Sequence, residues 1–298
     1  MSRTSTSSRA AFVGAAALVA GFAVGGCSCS KKHVSRASKR LRAQASARIA
    51  ATPKPPPPPP RLPDGSYRYA GLHYLEIETA GAGPNETLPM VVALHGHGME
   101  PTMWLGAFRT FPLRARVIAL FGDRPAEKGG YEWMPGGVSK EENSPELAAL
   151  LPGVVSRIAT ALVELEKVRP TAGKPVLTGF SQGATITYGL TLFDGAMFTM
   201  SCPAAGHLPK QLLRNAKAPS PAPEVHGFQG RLDQGVFEGE HTSAALKRLG
   251  FVADLKVLPG FGHEFPPQAQ HVVACVERGV EKTLAAGTQP AASPAARR

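Results

Sequence analysis

Six short apolar runs, separated by stretches with helical spacing, constrain this chain more than any other feature. They are Met90–Leu94, Val117–Leu120, Pro175–Thr178, Phe198–Cys202, Glu224–Phe228 and Ala253–Leu258. Near-continuous apolar runs of this length suit strands buried on both faces, as in a parallel sheet. Between them, Leu147–Val168 places Leu147, Leu150, Leu151, Val154, Val155, Ile158, Leu162 and Leu165 at three- and four-residue steps, the mark of an amphipathic helix. Ser144-Pro145-Glu146 offers a cap and a first-turn proline, while Pro152-Gly153 predicts a kink or a later start. Gly239–Leu249, stopped by Gly250, and Val272–Leu284 predict two further helices. Strands alternating with helices indicate one α/β domain over 63–288, with a mostly parallel central sheet flanked by helices.

The chain outside that domain is different in kind. Residues 1–62 hold eleven Lys and Arg and no Asp or Glu, which accounts for the whole net charge of +11. The remainder is formally neutral, with 22 basic and 22 acidic residues, so the charge belongs to a leader and not to a nucleic-acid-binding surface. Residues 10–26 form an Ala- and Gly-rich apolar run of 17 residues behind Arg3 and Arg9. A membrane span needs about 20 apolar residues, so this run fits a secretory signal better. Its end, Val24-Gly25-Gly26-Cys27, resembles a bacterial lipobox, which implies a signal peptide over 1–26, lipidation of Cys27, and export to the cell envelope on a lipid anchor. Basic residues from Lys31 to Arg42 oppose this, because positive flanks favour the cytoplasmic side; the alternative is an uncleaved N-terminal anchor. Residues 27–62, with six consecutive prolines from Pro55 to Pro60, read as a basic extended tether, and 289–298 as a disordered tail.

Chemistry concentrates where strands end. Gly179-Phe180-Ser181-Gln182-Gly183 is a G-x-S-x-G sequence between a predicted strand and a helix, the setting of a nucleophile elbow. A serine hydroxyl needs a base, and this fold supplies acid and histidine later in the chain, in that order. Asp233 follows the fifth apolar run directly. Asp194 comes too early, and Asp254 lies inside the sixth run, as an exposed strand residue. His263 follows the sixth run through Pro259-Gly260-Phe261-Gly262, whereas His241 and His271 fall on or beside helices. Ser181, Asp233 and His263 are therefore the expected triad. Two simpler readings stay open: Asp233 as a cap for the helix after Gly235, and Gly262-His263 as a plain turn. The backbone N–H of Gln182, next to the nucleophile, is one expected oxyanion donor.

Leu94-His95-Gly96-His97-Gly98, the elbow with Ala184, His226-Gly227 leading to Asp233, and Gly260-Phe261-Gly262-His263-Glu264 together resemble the phospholipase/carboxylesterase family of α/β-hydrolases, which includes acyl-protein thioesterases. The resemblance spans about residues 88–285. It implies the α/β-hydrolase fold with little lid and a second oxyanion donor at the backbone of His97. It also implies that Tyr131-Glu132-Trp133 borders the substrate site, with Trp133 in contact; ordinary loop packing explains that stretch equally well. The family carries an acidic residue where this chain has Met99, followed by Glu100, so the support of the first glycine loop is left open.

The expected reaction is hydrolysis of a small-molecule or lipid carboxylic ester through an acyl-enzyme on Ser181, with no cofactor and no metal. A thioesterase, a peptidase or a polymer-ester depolymerase could use the same triad, and a catalytically inactive membrane-tethered binding module is the alternative outside enzymes. Cys202 and Cys275 either pair or sit as two small buried residues; spacing alone does not decide between these.

Overall fold

The order of the strands puts the middle of the sheet at Met90–Leu94, where the chain reverses its direction of travel across it. A computed structural model describes residues 57–135, 138, 144–214, 216–265 and 269–288, all within the compact unit Pro55–Arg298. The expected signal peptide 1–26, Cys27, most of the tether 27–62 and the tail 289–298 lie outside the described residues.

The strands are β1 (Tyr67–Tyr69), β2 (Leu72–Glu78), β3 (Met90–Leu94), β4 (Arg116–Leu120), the two-residue β5 (Arg124–Pro125) and β6 (Tyr131–Glu132), β7 (Val176–Phe180), β8 (Met200–Ala204), β9 (Glu224–Gly230) and β10 (Ala253–Leu258). Eight of them form one sheet in the order β1-β2-β4-β3-β7-β8-β9-β10, and β5 pairs separately with β6. From β4 to β10 every pairing in that sheet is parallel, while β2 runs antiparallel to both β1 and β4. After β3 the chain steps outward to β4, then returns to the other side of β3 as β7. Open α/β sheets bind ligands at such a switch, outside the carboxyl ends of the strands. The segments that leave β3 and β7 there begin with His95 and Ser181.

Among the described residues there are six α-helices: α1 (Met103–Phe108), α2 (Pro145–Val168), α3 (Gln182–Asp194), α4 (Lys210–Leu213), α5 (Val236–Arg248) and α6 (Ala269–Thr288). Alternation along β3 divides the core. Met90, Val92 and Leu94 pack with Leu147, Leu151, Val155 and Ile186 of α2 and α3. Val91 and Ala93 pack on the opposite face with Trp104, Phe108, Val272 and Val276 of α1 and α6. Both faces of the sheet are thus buried, which is why its strands read as unbroken apolar runs.

Two expectations need amendment. Helix α2 runs through Pro152 without a later start, capped by Ser144 Oγ, which accepts the Leu147 N–H at 3.1 Å. Leu151 and Val155, on either side of the proline turn, pack on Gly189 of α3. The strands β1 and β2 and the helix α1 were not foreseen. In β2 the Glu76 carboxylate faces inward, 1% exposed, where Arg116 Nε and Arg169 Nε donate to it at 2.8 and 2.7 Å. Cys202 of β8 and Cys275 of α6 form a disulfide.

Candidate active site

Ser181 sits between β7 and α3 with φ 55° and ψ −118°. A non-glycine residue held there stores strain of about 1–3 kcal/mol and needs a surrounding structure that dictates it. That structure is close backbone packing. A Cβ on Gly183 would lie 2.3 Å from the Leu94 carbonyl oxygen and 2.6 Å from that of His95, and a Cβ on Gly179 would lie 2.4 Å from the Gly183 carbonyl oxygen. Both glycines of the G-x-S-x-G sequence are therefore steric requirements of β3, β7 and α3 meeting at one point. The Ser181 N–H donates to the Ala204 carbonyl at 2.9 Å, which ties the elbow to the end of β8.

The three residues expected as a triad come together. His263 Nε2 lies 2.8 Å from Ser181 Oγ, and His263 Nδ1 lies 2.8 Å from Asp233 Oδ2. Gly230 makes room for the histidine loop: a Cβ there would meet the Phe261 and Gly262 carbonyl oxygens at 2.3 and 2.4 Å. Asp233 is buried, with only 4% of its side chain exposed. Burial pushes its pKa up, but the hydrogen bonds from His263, the Gly235 amide and Gln229 outweigh this and hold it below the usual carboxylate range. The Gly235 N–H reaches Oδ1 at 2.9 Å, so Asp233 also shapes the turn into α5, but Gly235 is the N-cap and no side chain caps the helix; the turn and the contact with His263 use separate oxygens. The ionised Asp233 accepts a hydrogen bond from His263 Nδ1–H, which leaves Nε2 as the acceptor for the serine hydroxyl.

Other candidates fall elsewhere. Asp254 is 57% exposed and pairs with His226 at 2.7 Å. His241 lies on α5, and His271 lies on α6 with Nδ1 3.5 Å from Lys256 Nζ. Asp194 is the last residue of α3.

Gln182 opens α3, where first-turn amides have no acceptor within the helix. Its side chain is buried and does other work. Oε1 accepts the N–H groups of Trp133 and Met134 at 2.7 and 3.3 Å, and Nε2 donates to the Met134 carbonyl at 2.9 Å. His97 lies on the loop after β3 with 43% of its side chain exposed, its Nε2 3.1 Å from Glu132 Oε2. Where the resembled family has an acidic residue, this loop is braced by main chain. The Gly98 N–H donates to the Tyr131 carbonyl and the Tyr131 N–H to the Met99 carbonyl, each at 2.9 Å. Gly130 permits this approach, since a Cβ there would lie 2.3 Å from the Gly98 carbonyl oxygen.

Trp133 packs inward against the first glycine loop. It is 3% exposed, and its Nε1–H donates to the His95 carbonyl at 2.8 Å. The cavity it borders, about 140 Å³, is shared with Arg68, His73, Phe121, Tyr131 and Arg157 and includes no triad residue. The indole braces the first glycine loop through that hydrogen bond. Two polar residues escaped the sequence reading. Gln229, 1% exposed, donates to Asp233 Oδ2 at 2.8 Å, and His95 is fully buried beneath the loop. Among the described residues, no group of three or more His, Cys, Asp or Glu side chains could hold a metal ion.

No protein-family model and no curated protein matches the sequence. Solved structures do resemble it. Esterase PE8 is 21% identical with a TM-score of 0.56, over 70% of this chain and 99% of that one. The Bacillus cereus carboxylesterase is 17% identical at 0.56, over 70% and 94%. Zea mays acyl-protein thioesterase 2 is 20% identical at 0.54, over 70% and 98%. The similarity is one of fold: this chain has the α/β-hydrolase fold, as a single domain with a mostly parallel eight-stranded sheet flanked by helices.

Proposed function

We propose that the chain is a serine hydrolase that cleaves carboxylic esters through an acyl-enzyme on Ser181. The observation that carries this reading is the continuous line from Ser181 Oγ to His263 to buried Asp233, with both links at 2.8 Å. Ser181 Oγ attacks the ester carbonyl carbon while His263 Nε2 takes its proton. The oxygen of the tetrahedral intermediate carries the negative charge and is met by the backbone N–H groups of His97 and Gln182. The intermediate collapses, the C–O bond to the alcohol breaks, and His263 returns the proton to the leaving oxygen. Water then attacks the acyl carbon with His263 as base, and the carboxylic acid and free Ser181 are released. Asp233 stays ionised throughout and stabilises the imidazolium.

The names of the fold neighbours, esterases and an acyl-protein thioesterase, support ester or thioester substrates. We favour oxygen esters of small molecules or lipids. The test is hydrolysis of p-nitrophenyl esters of graded chain length, beside matched thioesters, by the full chain and by Ser181→Ala. Turnover and fluorophosphonate labelling that both vanish in the variant support the reading. Well-folded protein that neither turns over esters nor takes the label would replace it with a binding module.

We further propose export on a lipid anchor at Cys27. The Cys202–Cys275 disulfide supports it, because such bonds persist in oxidising compartments. Incorporation of labelled palmitate that disappears in Cys27→Ser is the expected result; unlabelled protein found in the cytoplasm would count against export.

A further inference from the structure

Among the described residues His95 is the one histidine that is 0% exposed, and it begins the loop that carries the His97 amide. Both ring nitrogens are engaged. The Gly122 N–H lies 2.8 Å from Nε2, and Nδ1 lies 2.7 Å from the Gly96 carbonyl oxygen. A backbone amide can only donate, so Nε2 is the acceptor. The ring proton of the neutral imidazole is then on Nδ1, and it is donated to Gly96. Burial lowers the His95 pKa to about 4, against a smaller opposing effect of the Gly96 hydrogen bond, so the ring is neutral under ordinary conditions.

The Gly96 carbonyl and the His97 N–H belong to one peptide unit. In a trans peptide they point in opposite directions, and the unit rotates as a plate. Fixing the carbonyl therefore fixes the amide. The Met99 N–H adds a second donor to the same carbonyl at 3.2 Å. This plate lies close over the nucleophile, since a Cβ on Gly96 would fall 3.2 Å from Ser181 Cβ. Hydrogen bonds in series also polarise one another, so donation into the carbonyl strengthens the N–H as a donor. Trp133 holds His95 from outside, through its bond to the His95 carbonyl and ring contact at 5.2 Å.

We propose that His95 is a positioning residue for the oxyanion: its Nδ1–H pins the Gly96–His97 peptide so that the His97 N–H faces the acyl oxygen. The proposal rests on the esterase reading above. It acts on the transition state and not on substrate binding, so its loss appears in kcat and spares KM.

Two substitutions in the full chain separate the two bonds of the ring. In His95→Asn the amide nitrogen takes the place of Nδ1 and keeps the bond to Gly96, while Gly122 loses its acceptor. In His95→Gln the terminal oxygen takes the place of Nε2 and keeps Gly122, while Gly96 loses its donor. The expected result is kcat within about threefold of wild type for His95→Asn and lower by about 100-fold for His95→Gln, with KM little changed and fluorophosphonate labelling slowed in parallel. Equal losses in both variants, an undiminished His95→Gln, or a change confined to KM would overturn the proposal. Wild type without turnover or labelling would instead retire the Ser181 reading, and this proposal with it. Should His95→Gln not fold, nitrogen NMR of histidine-labelled wild type decides: Nδ1-protonated neutral His95 is expected, and an Nε2-protonated or cationic ring at neutral pH overturns it.

Discussion

Gln229 Nε2 and His263 Nδ1 donate to the same carboxylate oxygen of Asp233, each at 2.8 Å. The two bonds hold Oδ2 from different directions, and the Gly235 amide holds Oδ1. Asp233 therefore cannot rotate without breaking charge-assisted bonds, each contributing about 1.5–3 kcal/mol. Gln229→Leu removes one of them at similar volume. We expect kcat to fall roughly tenfold. The Asp233 pKa should rise, because a bond that favours the ionised form is gone. Asp233 contributes stability that is present above its unfolded pKa and lost as pH falls through its folded one. In the variant that acid loss should be smaller and should be complete at a higher pH, as thermal melts between roughly pH 2 and 5 would show. Melting and rate profiles that superpose on wild type would refute the role given to Gln229.

The elbow makes a steric prediction. In Gly183→Ala the new methyl must displace the Leu94 carbonyl, which is main chain of a central strand and has nowhere to go. A cost of about 2–3 kcal/mol is expected, with a Tm lower by roughly 5–10 °C. Gly153→Ala, at a position with open space, is the control and should melt near wild type. Similar Tm values for the two variants would show that the close packing at Gly183 is relaxed in solution.

These glycines also show why the nucleophile was legible in the sequence while its supports were not. Gly179 and Gly183 are demanded locally, by a strand, a turn and a helix within a few residues. Strands such as β3 were legible because both faces are buried and no polar residue interrupts them. Strand β2 was missed because His73 and Glu76 break its apolar pattern; Glu76 faces the interior only because Arg116 and Arg169 arrive from far along the chain. His95 opens the first glycine loop and is plain in the sequence, yet its partner Gly122 is 27 residues away. Gln229 lies only four residues before Asp233, but nothing in that spacing announces that β9 delivers both to one place. For Trp133 the resemblance implies a contact with substrate and ordinary loop packing serves equally; the hydrogen bond from its N–H to the His95 carbonyl is a long-range contact that neither announces.

The buried ion cluster of β2 carries a stability prediction. Glu76 balances two guanidinium groups, Arg116 at 0% and Arg169 at 4% side-chain exposure. Glu76→Leu would strand both charges in the interior. Removing one partner of a buried pair costs about 3–5 kcal/mol, so urea unfolding should shift by that amount. A shift below about 1 kcal/mol would mean that the two arginines find water or other acceptors.

His95 makes the fold sensitive to acid. Its pKa is about 4 in the folded chain against an ordinary value of 6.5. The unfolded chain binds the proton more readily between these values, so stability is full above about pH 6.5 and declines as pH falls toward 4. The gap corresponds to about 3 kcal/mol. In His95→Asn that portion of the acid dependence should vanish. An unchanged slope of unfolding free energy against pH would assign the decline to other groups.

The two amides we propose for the oxyanion are main-chain groups, and this hides them from the commonest kind of mutational survey. Replacing residues 97 and 182 by alanine deletes neither N–H. An alanine at 97 removes only an exposed ring and its contact with Glu132. An alanine at 182 would register, but through the lost clamp on residues 133 and 134. Proline at 97, which has no amide hydrogen, is the substitution that would expose the hidden donor. Position 97 can thus accept many side chains while its chemistry stays fixed, whereas position 182 is held by a side chain that never meets the reacting atoms.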